Sequence, residues 1–179
     1  VEISAVKSFD KRVDELWAKI SPRYEFIVER SRDYLNWRYC HPHAGNFVVM
    51  QAEENGEVVG YSVLLINRKV RDYPVGYIVD LIHTPGREDI ANGLVSEAVD
   101  YFDEQGVNII NAFVIRKHPY EKTMKKNGLI NSRINLKLYI GVSTRQRQLA
   151  ILKEAPLRSV HFSYGDIDSL PSGITERIN

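Results

Sequence analysis

The sequence predicts an α/β fold: a mixed, mostly antiparallel central sheet with one parallel βαβ crossover and helices on both faces. Two observations carry this. From Asn46 to Asn67 the apolar residues recur with period two, and Asn55-Gly56 sits between the two runs, which is the pattern of a hairpin. From Val75 onward a strand-like run, a helix-period run and a second strand-like run follow one another, and two parallel strands joined by a helix demand a right-handed crossover. A length of 179 residues suits one domain over 1–179 with a sizeable core.

The elements follow in order. Phe9, Val13, Leu16, Trp17 and Ile20 stand three and four apart, so one face of a helix over 9–20 is apolar, with Ser8 and Asp10 as caps. The stretch around Tyr34, Leu35 and Trp37 predicts a second helix that stops before Pro42. The hairpin strands are 47–53 and 57–67. The charged loop 68–74 leads to a third strand, 75–83. Ile90, Leu94, Val95, Ala98, Tyr101 and Phe102 mark one side of a long helix closed by Gly106. A buried strand over 107–116 and a short helix between Pro119 and Gly128 come next. Two strands, 131–142 and 158–166, complete the sheet.

Bulk properties exclude several classes. Apolar residues make up 44% and charged residues 26% of the chain, as in ordinary folded proteins. Lys and Arg number 24 and Asp and Glu 23, without a basic stripe, so no nucleic-acid partner is expected. No apolar run reaches the roughly 20 residues a membrane helix needs, and a lone Cys40 forms no internal disulfide. A cytoplasmic protein without a membrane partner is the expectation. The chain opens at Val1 without an initiator Met or a signal pattern, which reads as the C-terminal part of a longer polypeptide.

The stretch Pro85-Gly-Arg-Glu-Asp-Ile-Ala-Asn-Gly-Leu94 joins the third strand to the long helix. Such a turn is a natural anion site, because backbone N–H groups and the helix dipole face the same point. This order of elements, with a phosphate-type turn after the third hairpin-linked strand, resembles the GNAT superfamily of acyl-CoA-dependent N-acyltransferases. The likeness spans about residues 45–165 and implies the GNAT-like fold, acetyl-CoA or another acyl-CoA as co-substrate, and a primary amine of a small molecule or protein as acceptor. The family's Arg/Gln-x-x-Gly-x-Gly/Ala turn aligns with Arg87, Glu88, Asp89, Ile90, Ala91 and Asn92. Arg87 is kept and both glycine positions are replaced, Gly93 falling inside the helix. The resemblance implies cofactor contacts from Leu81, Ile82, His83, Arg87, Asp89, Ile90, Ala91, Asn92 and Gly93.

A second match is "KHPYEKTMKKNGL", similar to the family's Asn-x-x-Ala-x-x-x-Tyr-x-x-x-Gly-Phe segment. It places Met124 where the family carries its general-acid tyrosine and Lys117 where it carries Asn. Tyr120 lies one helical turn earlier on the same face and becomes the candidate proton donor to the leaving thiolate. A third match, "YLNWRYCHP", "VGYIVDLI" and "HFSYGDIDSL", resembles the second half of proteins in which two such units are fused. It implies a second GNAT-like domain or a homodimer partner, and with it the other reading: a catalytically silent module whose job is to pack against that domain.

Asp80 and His83 are the candidate bases for deprotonating the attacking amine, directly or through water. Strand alternation sets them on opposite faces, and a buried Asp80 needs a partner, so a structural hydrogen bond is an equal reading. Asp89 is also a good N-cap that would occupy the donors a phosphate wants, and Ile90 and Asn92 are expected to crowd the turn. Cys40-His41-Pro42-His43 lacks a second ligand cluster, so no metal is expected. His118 and His161 read as packing residues, Trp37 and Arg38 as packed inside the N-terminal layer, and "YGDIDS" either as lining of an acceptor-amine pocket or simply as a strand ending in a turn.

Overall fold

In a computed structural model, residues 1–69, 72–132 and 155–167 are described. Among these residues five strands make one sheet: β1 Glu2–Val6, β2 Phe47–Glu54, β3 Glu57–Asn67, β4 Val75–His83 and β5 Ile109–Ala112, in the order β1-β2-β3-β4-β5. The first four are antiparallel and β4-β5 is parallel. Four helices accompany them: α1 Arg12–Ile20, α2 Arg32–Leu35 running on into a π-turn Asn36–Cys40, α3 Glu88–Glu104 and α4 Tyr120–Lys126.

The hairpin forms where the sequence asks for it. Asn55 and Gly56 have φ of 53° and 81°, the left-handed pair that a two-residue turn between twisted strands requires. Asp10 accepts the Arg12 N–H at 2.8 Å and so secures the first turn of α1. At the end of α3, Gly106 at φ 69° lets the Val107 N–H reach back to the Phe102 carbonyl at 2.9 Å, which stops the helix.

The sheet carries a core on each face. Phe9, Val13, Leu16, Ile20, Leu35 and Tyr39 cover Tyr61, Val63, Leu65, Tyr77 and Val79. On the other face Ile90, Leu94, Val95, Ala98 and Phe102 of α3 cover Leu64, Ile78 and Leu81. The helices therefore lie on both faces, as the sequence predicts. The approach of α3 is close enough that a Cβ on Gly76 would meet the Phe102 ring at 2.9 Å.

Four features depart from the sequence reading. β1 is not anticipated, because only Ile3 and Val6 of its five residues are even half-covered and the apolar signal is faint. The run 107–116 pairs only over Ile109–Ala112. The segment 158–166 is no strand: one bridge joins Val160 to Phe26, and Tyr164–Asp166 turn as a 3-10 helix. Its reason is local, since Ser163 and Asp166 form a reciprocal capping box that an extended chain cannot make. Trp37 is 65% exposed and rests on Tyr34 rather than inside the N-terminal layer. The expected strand 131–142 lies, from residue 133, outside the described residues.

Candidate active site

β4 and β5 run together only from Val75–Ile78 and Ile109–Ala112. Beyond that point the described parts of the two strands carry no further ladder, and side chains from four separate elements converge there. The start of α4, the end of β4, the turn after α1 and the segment 160–166 supply them. A cavity of about 130 Å³ is lined among others by Tyr24, His83, Gly86, His118 and Tyr120.

β4 holds a β-bulge opposite Val63 and Leu64, so Val79 and Asp80 both serve the α1 side of the sheet, with Leu81 returning to the α3 side. Asp80 is saturated. Its carboxylate accepts from Arg30 Nε at 2.8 Å, the Tyr61 hydroxyl at 3.1 Å, His161 Nε2 at 3.3 Å and the Leu81 amide at 3.1 Å. Burial pushes this carboxyl up, yet the Arg30 guanidinium and His161 outweigh burial and hold it below the usual carboxylate range. Arg30 in turn reaches Asp166 at 2.6 Å and the carbonyls of Val28 and Glu29. The strand-buried acid therefore has the structural partner that its position demanded.

His83 ends β4 on the side away from Asp80. Its Nδ1 lies 2.8 Å from the Thr84 carbonyl. A carbonyl oxygen only accepts, so Nδ1 carries the proton and Nε2 of the neutral ring holds the free lone pair. Burial lowers the ring's pKa, which keeps that lone pair available. Tyr120, 5% exposed, sets its ring 5.5 Å from His83 and 4.6 Å from His118. Burial, then the neighbouring Tyr24 and Asp80, raise its phenol well above the ordinary value, so it stays protonated.

The turn into α3 differs from expectation in its details. The N-cap is Arg87 and not Asp89; Arg87 spans Glu54 at 2.7 Å and Asp89 at 2.8 Å, so the cation aligned with the phosphate-binding arginine is engaged by carboxylates. Ile90 does not crowd the turn. Its side chain is 1% exposed and faces the sheet, where a Cβ on Gly60 would meet it at 2.9 Å. Ala91 is buried beside it, Gly93 faces Ile3, and the Asn92 amide folds back onto the Glu88 carbonyl at 2.7 Å. Leu81 and Ile82 are buried on opposite faces and offer the gap only their backbone.

Sequence reasoning missed Arg30, His118 and His161. His118 accepts the Tyr120 N–H on Nδ1 at 3.2 Å, and His161 stands with its ring 5.7 Å away. Of the three, only His161 interrupts an apolar pair, Val160 and Phe162, in the sequence. Cys40 is half-buried, and the His41 and His43 rings lie 5.4 Å apart; among the described residues no group of three metal-ligating side chains stands together. Arg38 binds the carbonyls of Gly165 and Ile167.

A five-stranded mixed sheet that parts between β4 and β5, with helices on both faces, is the fold of acyl-CoA N-acyltransferases. The chain belongs to the acetyltransferase (GNAT) family, whose model matches residues 12–121. No curated protein matches it in sequence. Among solved structures it is similar to an aminoglycoside acetyltransferase from an uncultured soil metagenomic sample, in complex with trehalose, at TM-score 0.60 and 14% identity over 79% of this chain and 96% of that one. A glucosamine-6-phosphate N-acetyltransferase from Arabidopsis thaliana gives 0.57 and 14% over 79% and 100%. A ribosomal-protein-alanine N-acetyltransferase from Brucella melitensis biovar Abortus 2308 gives 0.57 and 16% over 78% and 100%. At these identities the likeness is one of fold.

Proposed function

We propose that the chain transfers an acyl group, acetyl in the simplest case, from acyl-CoA to a primary amine. The observation that carries this is the pairing of a neutral base and a protonated acid on one cavity: His83, with Nε2 left as acceptor, and Tyr120, ring centroids 5.5 Å apart. Acyl-CoA supplies the activated carbonyl. His83 Nε2 takes a proton from the acceptor ammonium, whose nitrogen then forms the new C–N bond. The Tyr120 hydroxyl gives its proton to the departing sulfur as the C–S bond breaks, and the second proton leaving the acylated nitrogen restores the phenol, while the proton on His83 passes to solvent. Asp80, saturated by four donors, anchors Arg30 and His161 beside the gap.

The first turn of α3 receives the anionic end of the cofactor on its backbone, because Ile90 points away and Gly86, at φ 79°, has open space where a Cβ would stand. Arg87 would have to leave Glu54 or Asp89 to help. Binding is therefore expected to be weaker than in a glycine-rich turn. The amine acceptor enters beside Tyr24 and Arg23, which line the same cavity.

The test is a thermal-shift titration with acetyl-CoA, followed by product detection on a panel of amino sugars, amino acids, polyamines and peptide N-termini. Saturating co-substrate stabilises a fold by a few kcal/mol at large excess over Kd. No shift at millimolar acetyl-CoA would remove the enzyme reading and leave the silent module that packs on a second domain.

A further inference from the structure

His118 holds a hydrogen-bond donor that none of the described residues uses. The side chain is 4% exposed. Its Nδ1 accepts the Tyr120 N–H at 3.2 Å, so in the neutral ring the single proton resides on Nε2. Among the described residues that Nε2–H has no partner. A buried donor without an acceptor destabilises a fold, and such groups are rare enough in native proteins that each calls for a reason.

Its location supplies one. The His118 ring borders the cavity of His83 and Gly86, and also a smaller space lined by Phe113, Val114 and His161. It thus stands in the gap where β4 and β5 separate. The backbone is bent to keep it there: Lys117, the preceding residue, has φ 70°, a left-handed conformation unfavourable for a side chain of that kind, and its N–H is held by the Glu121 carboxylate at 3.1 Å. The Tyr24 ring stacks parallel to the imidazole at 6.0 Å.

The chemistry of the missing partner is narrow. It must accept a hydrogen bond, which excludes an ammonium. Arg30 is spent on Asp80 and Asp166, and an uncharged imidazole offers a full anion no opposite charge. A carbonyl oxygen that becomes more negative during reaction suits an uncharged donor. We infer that the His118 Nε2–H donates to the carbonyl oxygen of the acyl thioester, beside Tyr120, which serves its sulfur; this rests on the N-acyltransferase reading. Sulfur and oxygen are bonded to one carbon, and His118 and Tyr120 are adjacent rings 4.6 Å apart. Burial, helped by His161 and His83, also lowers the ring's pKa to about 3, so this donor does not titrate at working pH.

Two variants separate the functions of the ring. His118→Asn keeps an oxygen at the Nδ1 position for the Tyr120 N–H and removes the Nε2–H. His118→Gln carries an amide donor out to about the Nε2 position. Calorimetry would compare acetyl-CoA with S-ethyl-CoA, which lacks only the carbonyl. The wild type is expected to prefer acetyl-CoA by about 3–10-fold, the worth of one hydrogen bond, His118→Asn to show no preference, and His118→Gln to recover part of it. The infrared carbonyl band of bound [1-13C]acetyl-CoA should lie at lower frequency in the wild type than in His118→Asn. Equal binding of both ligands to the wild type, or a preference and band position unchanged in His118→Asn, would overturn the inference while leaving the enzyme reading intact. Failure of every CoA species to bind would bring down both. Should His118→Asn not fold, the wild-type preference and the His118→Gln band still decide.

Discussion

Arg30 and Asp80, fifty residues apart, meet at 2.8 Å with side chains 1% and 0% exposed. The pair is the hub of the site's support, because the same guanidinium also holds Asp166. Replacing Arg30 by Met strands two buried carboxylates, and removing one partner of a buried ion pair costs about 3–5 kcal/mol. Urea unfolding of Arg30→Met against wild type is expected to show a loss of that size, without a change in m-value.

His83 predicts a pH profile. Its folded pKa is lowered by burial, so the unprotonated base persists below the ordinary histidine value of about 6.5. The rate kcat/KM is expected to be flat at neutral pH and to fall only below that value. The same shift makes the unfolded chain bind the extra proton more readily, so this residue's contribution to stability is present above about 6.5 and is lost as pH falls through its folded pKa. His83→Asn, which retains a donor for the Thr84 carbonyl but not the Nε2 lone pair, should lower turnover by about 10²–10⁴.

Tyr120→Phe keeps the ring against His83 and His118 and deletes the proton donor. The expected result is a kcat lowered by about 10² or more with little change in the affinity for acetyl-CoA. A thioester with a better leaving group, which needs less protonation, should be affected less, and steady-state rates with the two thioesters check this.

Asp89 and Arg87 make an opposite prediction about binding. Asp89 places a negative charge at the α3 N-terminus and keeps Arg87 engaged at 2.8 Å. Asp89→Ala should tighten CoA binding by about 2–5-fold, as expected for relieving a charge at a helix end, and the gain should shrink with added salt. Titration calorimetry at two ionic strengths measures it.

Gly165 lies against Tyr39, whose buried hydroxyl has no partner among the described residues. A Cβ there would collide with that hydroxyl. Gly165→Ala is expected to cost about 1–3 kcal/mol, and Tyr39→Phe in the same chain should recover part of it. Chemical denaturation of the two single variants and the double variant closes the cycle.

The hairpin, α3 and the crossover were legible because each rests on a short-range pattern: Asn55-Gly56 at a turn, Ile90 to Phe102 at helical spacing. The turn's degeneracy was legible too, but its geometry was not; residue spacing does not say that Ile90 faces the sheet or that Arg87 is taken by Glu54. Asp80 announced its need of a partner through strand alternation alone. Arg30 and His161 stayed hidden, since they approach Asp80 across 50 and 81 residues, and no local period records such a pairing. His118 looked like packing because its distinguishing property, one satisfied nitrogen and one orphaned, exists only in three dimensions.

The segment 160–166 bears on how the protein comes into being. It contributes His161 and Asp166 to a site otherwise assembled from residues 20–120. On the ribosome, β2 to β4 and α3 emerge and can pair while Arg30 and Asp80 still lack their last two partners. The candidate site is therefore complete only once these late-made residues have arrived.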